Sequence, residues 1–323
     1  MNIICNYLRK ARKATLPEIA KNTGFSFPTV KKLVSLGVEN NVFHSCEERT
    51  VSDKAGRRAQ IFEINTDYFF IATIIIDIDT IFTKVCNFCL DEVYSSQREI
   101  YDSSSLEIID SETEKIFEKF KNLKTLTFVL PAPVYKGIIR KNFRLSSLEG
   151  MDFRERYSSK TQAVIKIEND MNILTLSALR DENVKNKNSV IAAFQQGFSG
   201  FGSGFVNEGK LLTGFSGYAG EIHNLPIASD ISGKDITKDA FVMIAASIVS
   251  IYNPEYLFVY APDNFISAEY IKENLSGRVP DYAIPHIFVK QAFISDMFTG
   301  AEIYNSEDLK IFFERSFLRS FFM

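Results

Sequence analysis

Apolar positions in the first 64 residues follow a helical period. Ile3, Ile4, Tyr7 and Leu8 mark one face of a first helix that ends near Arg9, Lys10, Arg12 and Lys13. Thr15-Leu16-Pro17-Glu18 has the form of a capping box, with Thr15 as N-cap, Glu18 reaching back and Pro17 in the first turn. This second helix is short and stops at Thr23-Gly24, where glycine accepts a left-handed turn. Ser26 caps a third helix with Pro28 in its first turn and Val30, Leu33 and Val34 as its buried stripe. Two short helices about a glycine-containing turn form a helix-turn-helix. After Asn40-Asn41 the pattern becomes strand (Val42–Ser45), polar loop, strand (Gln60–Ile64), which reads as a β-hairpin wing.

From about Asp67 the period changes. Phe69–Ile76, Phe82–Phe88, Leu126–Leu130, Ala163–Glu168, Val190–Phe194 and Leu257–Val259 read as strands. Leu106–Phe120, Asn172–Arg180 and Ala240–Ile251 read as helices between them, so the body is α/β with mixed sheets. The expected division is a winged helix-turn-helix over 1–66 and an α/β body over 67–323. No apolar run reaches the ~18 residues of a membrane helix, and the N-terminus lacks the order of a signal peptide. The expectation is a cytoplasmic protein with no membrane partner.

Composition adds one asymmetry. The net charge is −3, yet residues 1–64 hold eleven Lys and Arg against six Asp and Glu. The remaining residues hold 26 basic and 34 acidic side chains. A basic head on an acidic body predicts that the head alone meets a polyanion. In a helix-turn-helix the second helix enters the major groove. The expected DNA-binding residues are therefore Ser26 at the helix start, Thr29 toward a base edge, Lys31 and Lys32 on the outward face, and Arg57 and Arg58 in the wing loop beside Lys54 and Gly56. The four cysteines (Cys5, Cys46, Cys86, Cys89) are too few for a disulfide scaffold. Cys86 and Cys89 are spaced C-x-x-C, but in a strand running from Thr83 to Leu90 they point to opposite faces and read as structural.

Nearly the whole chain resembles the ROK family (repressors, open reading frames, kinases), in its winged-helix repressor subset. The head matches in Leu16-Pro17-Glu18-Ile19-Ala20, Thr23-Gly24-Phe25-Ser26, Thr29-Val30 and Gly56-Arg57-Arg58. In the body, Asp77-Ile78 falls at the family's phosphate-loop aspartate, and Pro131-Ala132-Pro133-Val134 resembles its Pro-Gly-Pro-Val. Glu168-Asn169-Asp170-Met171-Asn172, Gly200-Phe201-Gly202-Ser203-Gly204, Gly220-Glu221-Ile222, Asn253-Pro254-Glu255 and Thr299-Gly300-Ala301 match further landmarks in order. The resemblance implies a two-lobed, actin-like (ribonuclease H-like) sugar-kinase fold whose cleft binds a sugar and, in the kinases, ATP. It implies that Asp170 stands at the catalytic base position and that Asn169 and Glu221 contact the sugar.

The departures from the family pattern argue against catalysis. Where the family's phosphate loop runs Asp-x-Gly-Gly-Thr, this chain has Asp77-Ile78-Asp79-Thr80-Ile81. Side chains replace the glycines that let backbone approach a phosphate, and Asp79 adds like charge. After Leu257–Val259 the kinases' Gly-rich turn is replaced by Tyr260-Ala261-Pro262-Asp263. The family's sugar-contacting Asn falls near Ser147. Asn224 stands at the zinc-binding His position, with His223 one place early, and Ala228 to Asp239 contains no cysteine. A structural zinc takes about four N or S ligands, so no metal and no cofactor are expected. Asp170 has two readings, a sugar contact or the cap of the helix that follows. The expectation is a non-enzymatic transcription regulator, a repressor of sugar-metabolism genes. It would act as a homodimer or homotetramer on pseudo-palindromic double-stranded DNA, with a sugar or sugar-phosphate effector. The alternatives are an active sugar kinase with an unusual phosphate loop and a DNA-binding scaffold that senses nothing.

Overall fold

The computed structural model of the chain describes residues 1–46, 60–140, 146–181, 184, 190–197, 200–226, 237–291 and 293–306. The wing loop with Lys54, Gly56, Arg57 and Arg58 lies outside the described residues. The head consists of α1 (Asn2–Ala11), β1 (Lys13–Thr15), α2 (Leu16–Thr23), α3 (Phe27–Glu39), β2 (Phe43–Cys46) and β3 (Ile61–Ile64). The capping box is present in both directions. The Glu18 amide donates to Thr15 Oγ1 at 3.5 Å, and the Thr15 amide donates to Glu18 Oε2 at 2.8 Å. Gly24 closes α2 at φ 73, its amide donating to the Ala20 carbonyl. The buried stripe of α3 is Val30, Val34 and Gly37, with Leu33 half-buried at its margin. The periodicity missed β1. Its three residues pair with β3 and complete an antiparallel sheet of order β1-β3-β2.

The body holds two five-stranded sheets. The first contains β4 (Phe70–Ile76), β5 (Thr80–Cys86), β6 (Glu92–Glu99), β7 (Leu123–Leu130) and β10 (Val164–Asn169), in the order β10-β7-β4-β5-β6. The tiny strands β8 (Val134–Tyr135) and β9 (Ile138–Ile139) form a separate hairpin. The second sheet contains β11 (Val190–Gly197), β12 (Gly200–Asn207), β13 (Lys210–Leu211), β14 (Tyr256–Tyr260) and β15 (His286–Lys290), in the order β13-β12-β11-β14-β15. In each sheet an antiparallel meander of three strands is extended by two parallel strands beside its first member. The two lobes therefore share one topology. β4, a run of Ile with Ala and Thr, is buried on both faces, as a central strand requires. β6 alternates exposed with half-buried positions, reads as polar in sequence, and forms the sheet edge.

Helices α4 (Ser105–Lys119) and α5 (Phe153–Tyr157) cover the first sheet, while α7 (Lys238–Tyr252) and α8 (Ala268–Leu275) cover the second. The expected strand through Phe88 is shorter than its apolar run. β5 ends at Cys86 because Asn87 opens a tight turn, with Asn87 Oδ1 accepting from the amides of Cys89 and Asp91. Phe88 then leaves the sheet and enters the core of the head. That core joins Ile4, Leu8, Ile19, Val30, Val34, Phe43 and Ile64 to Phe69, Ile71, Cys86 and Phe88 of the hairpin β4–β5. Arg9 lies 5.6 Å above the Phe88 ring, and Arg12 pairs with Asp91 at 2.6 Å.

Helix α6 (Asp170–Ser177) lies at the junction of the lobes, and each of its eight residues is buried. Close packing on opposite sides depends on glycine. A Cβ at Gly204 of β12 would lie 2.3 Å from the Met171 carbonyl oxygen. A Cβ at Gly300, on helix α9 (293–306), would lie 1.8 Å from that of Ile173. Helix α9 returns to the first lobe: the Thr127 hydroxyl donates to buried Asn305 at 2.9 Å, and Lys84 pairs with Glu302 at 3.3 Å. Because the contact at Gly300 is with backbone, the helices must part to admit a methyl group. Gly300→Ala should lower stability by about 1–3 kcal/mol, measured as the shift in the urea midpoint of the full chain.

Candidate nucleic-acid and ligand sites

The outward face of α3 carries exposed Lys31 and Lys32, as its helical period requires. Ser26 and Thr29 are both exposed at its start, but they are occupied with each other. Ser26 Oγ accepts the Thr29 amide at 3.4 Å and lies 2.8 Å from Thr29 Oγ1. The hydroxyl expected to face a base edge thus closes the cap. Sequence reasoning passed over Phe27, the residue that follows Ser26, which is 49% exposed. Its signal was its position in the first turn, one place before Pro28.

The second site is the cleft between the lobes. Asp170 begins α6 and is almost fully buried. The cap itself is Asn169, whose Oδ1 accepts the amides of Met171 and Asn172 at 2.9 and 3.1 Å. Asn169 Nδ2 also donates to the Ala132 carbonyl at 3.2 Å. The capping role considered for Asp170 therefore belongs to its neighbour, and Asn169, expected to hold a sugar, has both ends of its amide engaged in the framework. Asp170 Oδ1 accepts the Met171 amide at 2.7 Å. Burial pushes the Asp170 carboxyl up to about 7, and the charges of Glu221 and Asp77 add to the rise, against the lowering effect of its backbone hydrogen bond. Asp77 is likewise raised by burial, with Asp79 adding to the effect. The cleft thus gathers Asp77, Asp170 and Glu221 from three separate motifs.

The turn 77–80 between β4 and β5 explains how the loop survives without its glycines. The Asp77 amide donates to the Thr80 carbonyl at 2.9 Å, and the Ile78 amide donates to the Asp77 carboxylate at 2.8 Å. Two amides of the loop are spent within it, and a carboxylate holds the place where a phosphate oxygen would accept. Ser147, near the family's sugar-contacting Asn, is fastened elsewhere: its hydroxyl meets Ser105 at 2.8 Å and its amide donates to Asp102 at 3.2 Å.

The segment after Glu221 is organised by side chains. His223 Nδ1 lies 3.2 Å from Glu221 Oε2, and its Nε2 lies 2.8 Å from Asn224 Nδ2, which also donates to the Tyr218 hydroxyl at 2.6 Å. Asn224, at the family's zinc-ligand position, is an amide engaged with Tyr218 and His223, and the sequence offers no cysteine after Cys89. Among the described residues no group of three or more His, Cys, Asp or Glu is placed to hold a metal ion. This donor set does not fit the zinc that the family pattern implies. Cys5 and Cys86 are buried thiols pushed up to about 12 and about 11, and Cys89 is raised as well, the reverse of what a redox or metal-binding pair needs.

Two lobes of repeated topology, a buried aspartate starting the helix between them and a Gly-rich hairpin against that helix define an α/β body built like the sugar kinases. Residues 80–234 match the model described as the ROK family. An N-acetyl-D-glucosamine kinase of Aliivibrio salmonicida is 37% identical over 81 residues, 24% of this chain and 26% of that protein. One of Vibrio cholerae is 34% identical over 82 residues, 25% of this chain and 26% of that protein. The chain thus spans about a quarter of the length of these curated relatives. Among solved structures, a ROK family transcriptional regulator described as a homologue of the E. coli MLC protein matches with a TM-score of 0.59 at 11% identity, over 90% of this chain and 92% of its own. A ROK hexokinase from Thermus thermophilus matches with a TM-score of 0.57 at 13% identity, over 75% of this chain and 99% of its own. At these identities the likeness is one of fold. Among the described residues no helix is long and apolar enough to cross a membrane.

Two outcomes follow from this site. An aspartate whose folded value is raised favours folding while it is protonated, and that contribution is lost as pH rises through the folded value. Relative to Asp170→Asn, the native chain should lose stability between about pH 4 and 7 at up to ~1.4 kcal/mol per pH unit and level off above that range, read from urea melts from about pH 4 to 9. Dialysis against a strong chelator should leave the melting temperature unchanged, and metal analysis of the purified chain should return far less than one zinc per molecule.

Proposed function

We propose that the chain is a DNA-binding transcription regulator, a repressor, with a sugar-kinase-like body that senses a sugar or sugar phosphate without phosphorylating it. The observation that carries this reading is the α2–Gly24–α3 unit. Its caps fix a short helix-turn-helix, its apolar stripe is buried, and its opposite face presents Lys31 and Lys32. With β1, β2 and β3 the unit has the plan of a winged helix, in which α3 enters the major groove. Ser26, exposed at the start of α3, is assigned to a phosphate, and Arg57 and Arg58 are assigned to the wing. Domains 1–66 and 67–323 divide these tasks. As a homodimer or homotetramer the protein would read two half-sites of a pseudo-palindromic operator.

The body's role rests on its charges. Asp77 and Asp79 flank the turn where a nucleotide phosphate would sit, and two of its amides are consumed internally. Phosphoryl transfer needs that loop to cradle and neutralise. Asp170 and Glu221 remain as acceptors for sugar hydroxyls. Asn169 contributes by holding the start of α6 in place. A second reading, an active sugar kinase, draws on the 81-residue likeness to N-acetyl-D-glucosamine kinases. ADP release stimulated by N-acetyl-D-glucosamine and abolished in Asp170→Asn would establish that reading.

Binding of the full chain to duplex DNA selected from a random library, measured at several salt concentrations, tests the regulator directly. Lys31→Ala with Lys32→Ala should weaken all duplexes alike and flatten the salt dependence by about 0.9 for each phosphate that the variant no longer neutralises. If no duplex is enriched, the regulator reading fails.

A further inference from the structure

The leading turn of α3 has a composition unlike that of a polar reading head. Ser26 and Thr29 bond to each other, Val30 is buried, and Pro28 has no donor. Phe27 is left about half exposed and with no ring partner among the described residues. A lone surface phenylalanine is ordinary in most places. This one stands on the helix turn that a helix-turn-helix brings nearest to the base edges, with Lys31 and Lys32 following on the same helix and a basic head around it. That charge suits a duplex and disfavours an apolar protein partner. The apolar group that DNA presents in the major groove is the C5 methyl of thymine.

We propose that Phe27 is the principal base-reading side chain of this protein, packing on thymine methyl groups in the major groove and giving the half-site a thymine preference. The proposal rests on the DNA-binding reading and assigns its specificity. Thr29 then acts as a positioning residue, holding Ser26 and the backbone of the first turn so that the Phe27 ring projects. Lys31 and Lys32 contribute affinity without choosing the sequence.

The test uses the intact chain and leaves the protein unchanged in its first arm. A duplex enriched from a random library is resynthesised with each thymine replaced in turn by deoxyuridine, which removes only the methyl group. One or two adjacent thymines per half-site should each cost about fourfold in affinity when replaced, the equivalent of ~0.8 kcal/mol for one buried methylene-sized group. In Phe27→Ala, which alters an exposed side chain, the same replacements should have no effect. Phe27→Leu should retain part of the penalty, and both variants should keep the native salt slope. Enrichment of duplexes that bind equally well with uracil throughout would overturn the role of Phe27 while leaving DNA binding intact. Failure to enrich any duplex would overturn the underlying reading as well.

Discussion

The close approach of backbone to backbone around α6 is the constraint on which the body depends. This helix begins at the cleft, and it is touched on one side by β12 at Gly204 and on another by α9 at Gly300. Neither contact leaves room for a β-carbon. Helix α9 then reaches the first sheet through Asn305 and Glu302. The two lobes therefore meet around α6 through contacts that leave no room for a β-carbon at Gly204 or Gly300. Asp170 is the first residue of that helix.

The cleft is a mixture of what the fold imposes and what the sequence has changed. The buried aspartate and Glu221 remain at the positions that the family pattern gives them. The turn between β4 and β5 has been rebuilt around its own carboxylate, and the segment after Glu221 is held by a chain of hydrogen bonds through His223, Asn224 and Tyr218. Both segments are held by side-chain contacts within the chain.

Much of this was legible in the sequence because the signals were local. The capping box at Thr15 and Glu18, the turn at Gly24 and the apolar run of β4 each act within a few residues. What was missed depends on partners far along the chain. β1 is a strand only because β3 pairs with it, and β6 is a polar edge whose register comes from β5. Around the start of α6, the pattern Glu168-Asn169-Asp170 marked the segment where strand turns to helix but not the division of labour within it. Which residue caps and which stays buried follows from the direction in which β10 enters α6, and that geometry is not written in residue type. The same holds at Ser26 and Thr29, where two hydroxyls three positions apart on a helix satisfy each other.

The hairpin β4–β5 has its two ends in different environments. Its closed end is the turn at 77–80 in the cleft, and its open end supplies Phe69, Ile71, Cys86 and Phe88 to the core of the head. Seven residues of strand span roughly 23 Å. Close-packed side chains grip the rod at the head, and no flexible linker intervenes along its length. The head is therefore packed on the body through a shared core, unlike a module held by a tether alone. It is mounted on a rod whose two ends join the turn at 77–80 to the core of the head.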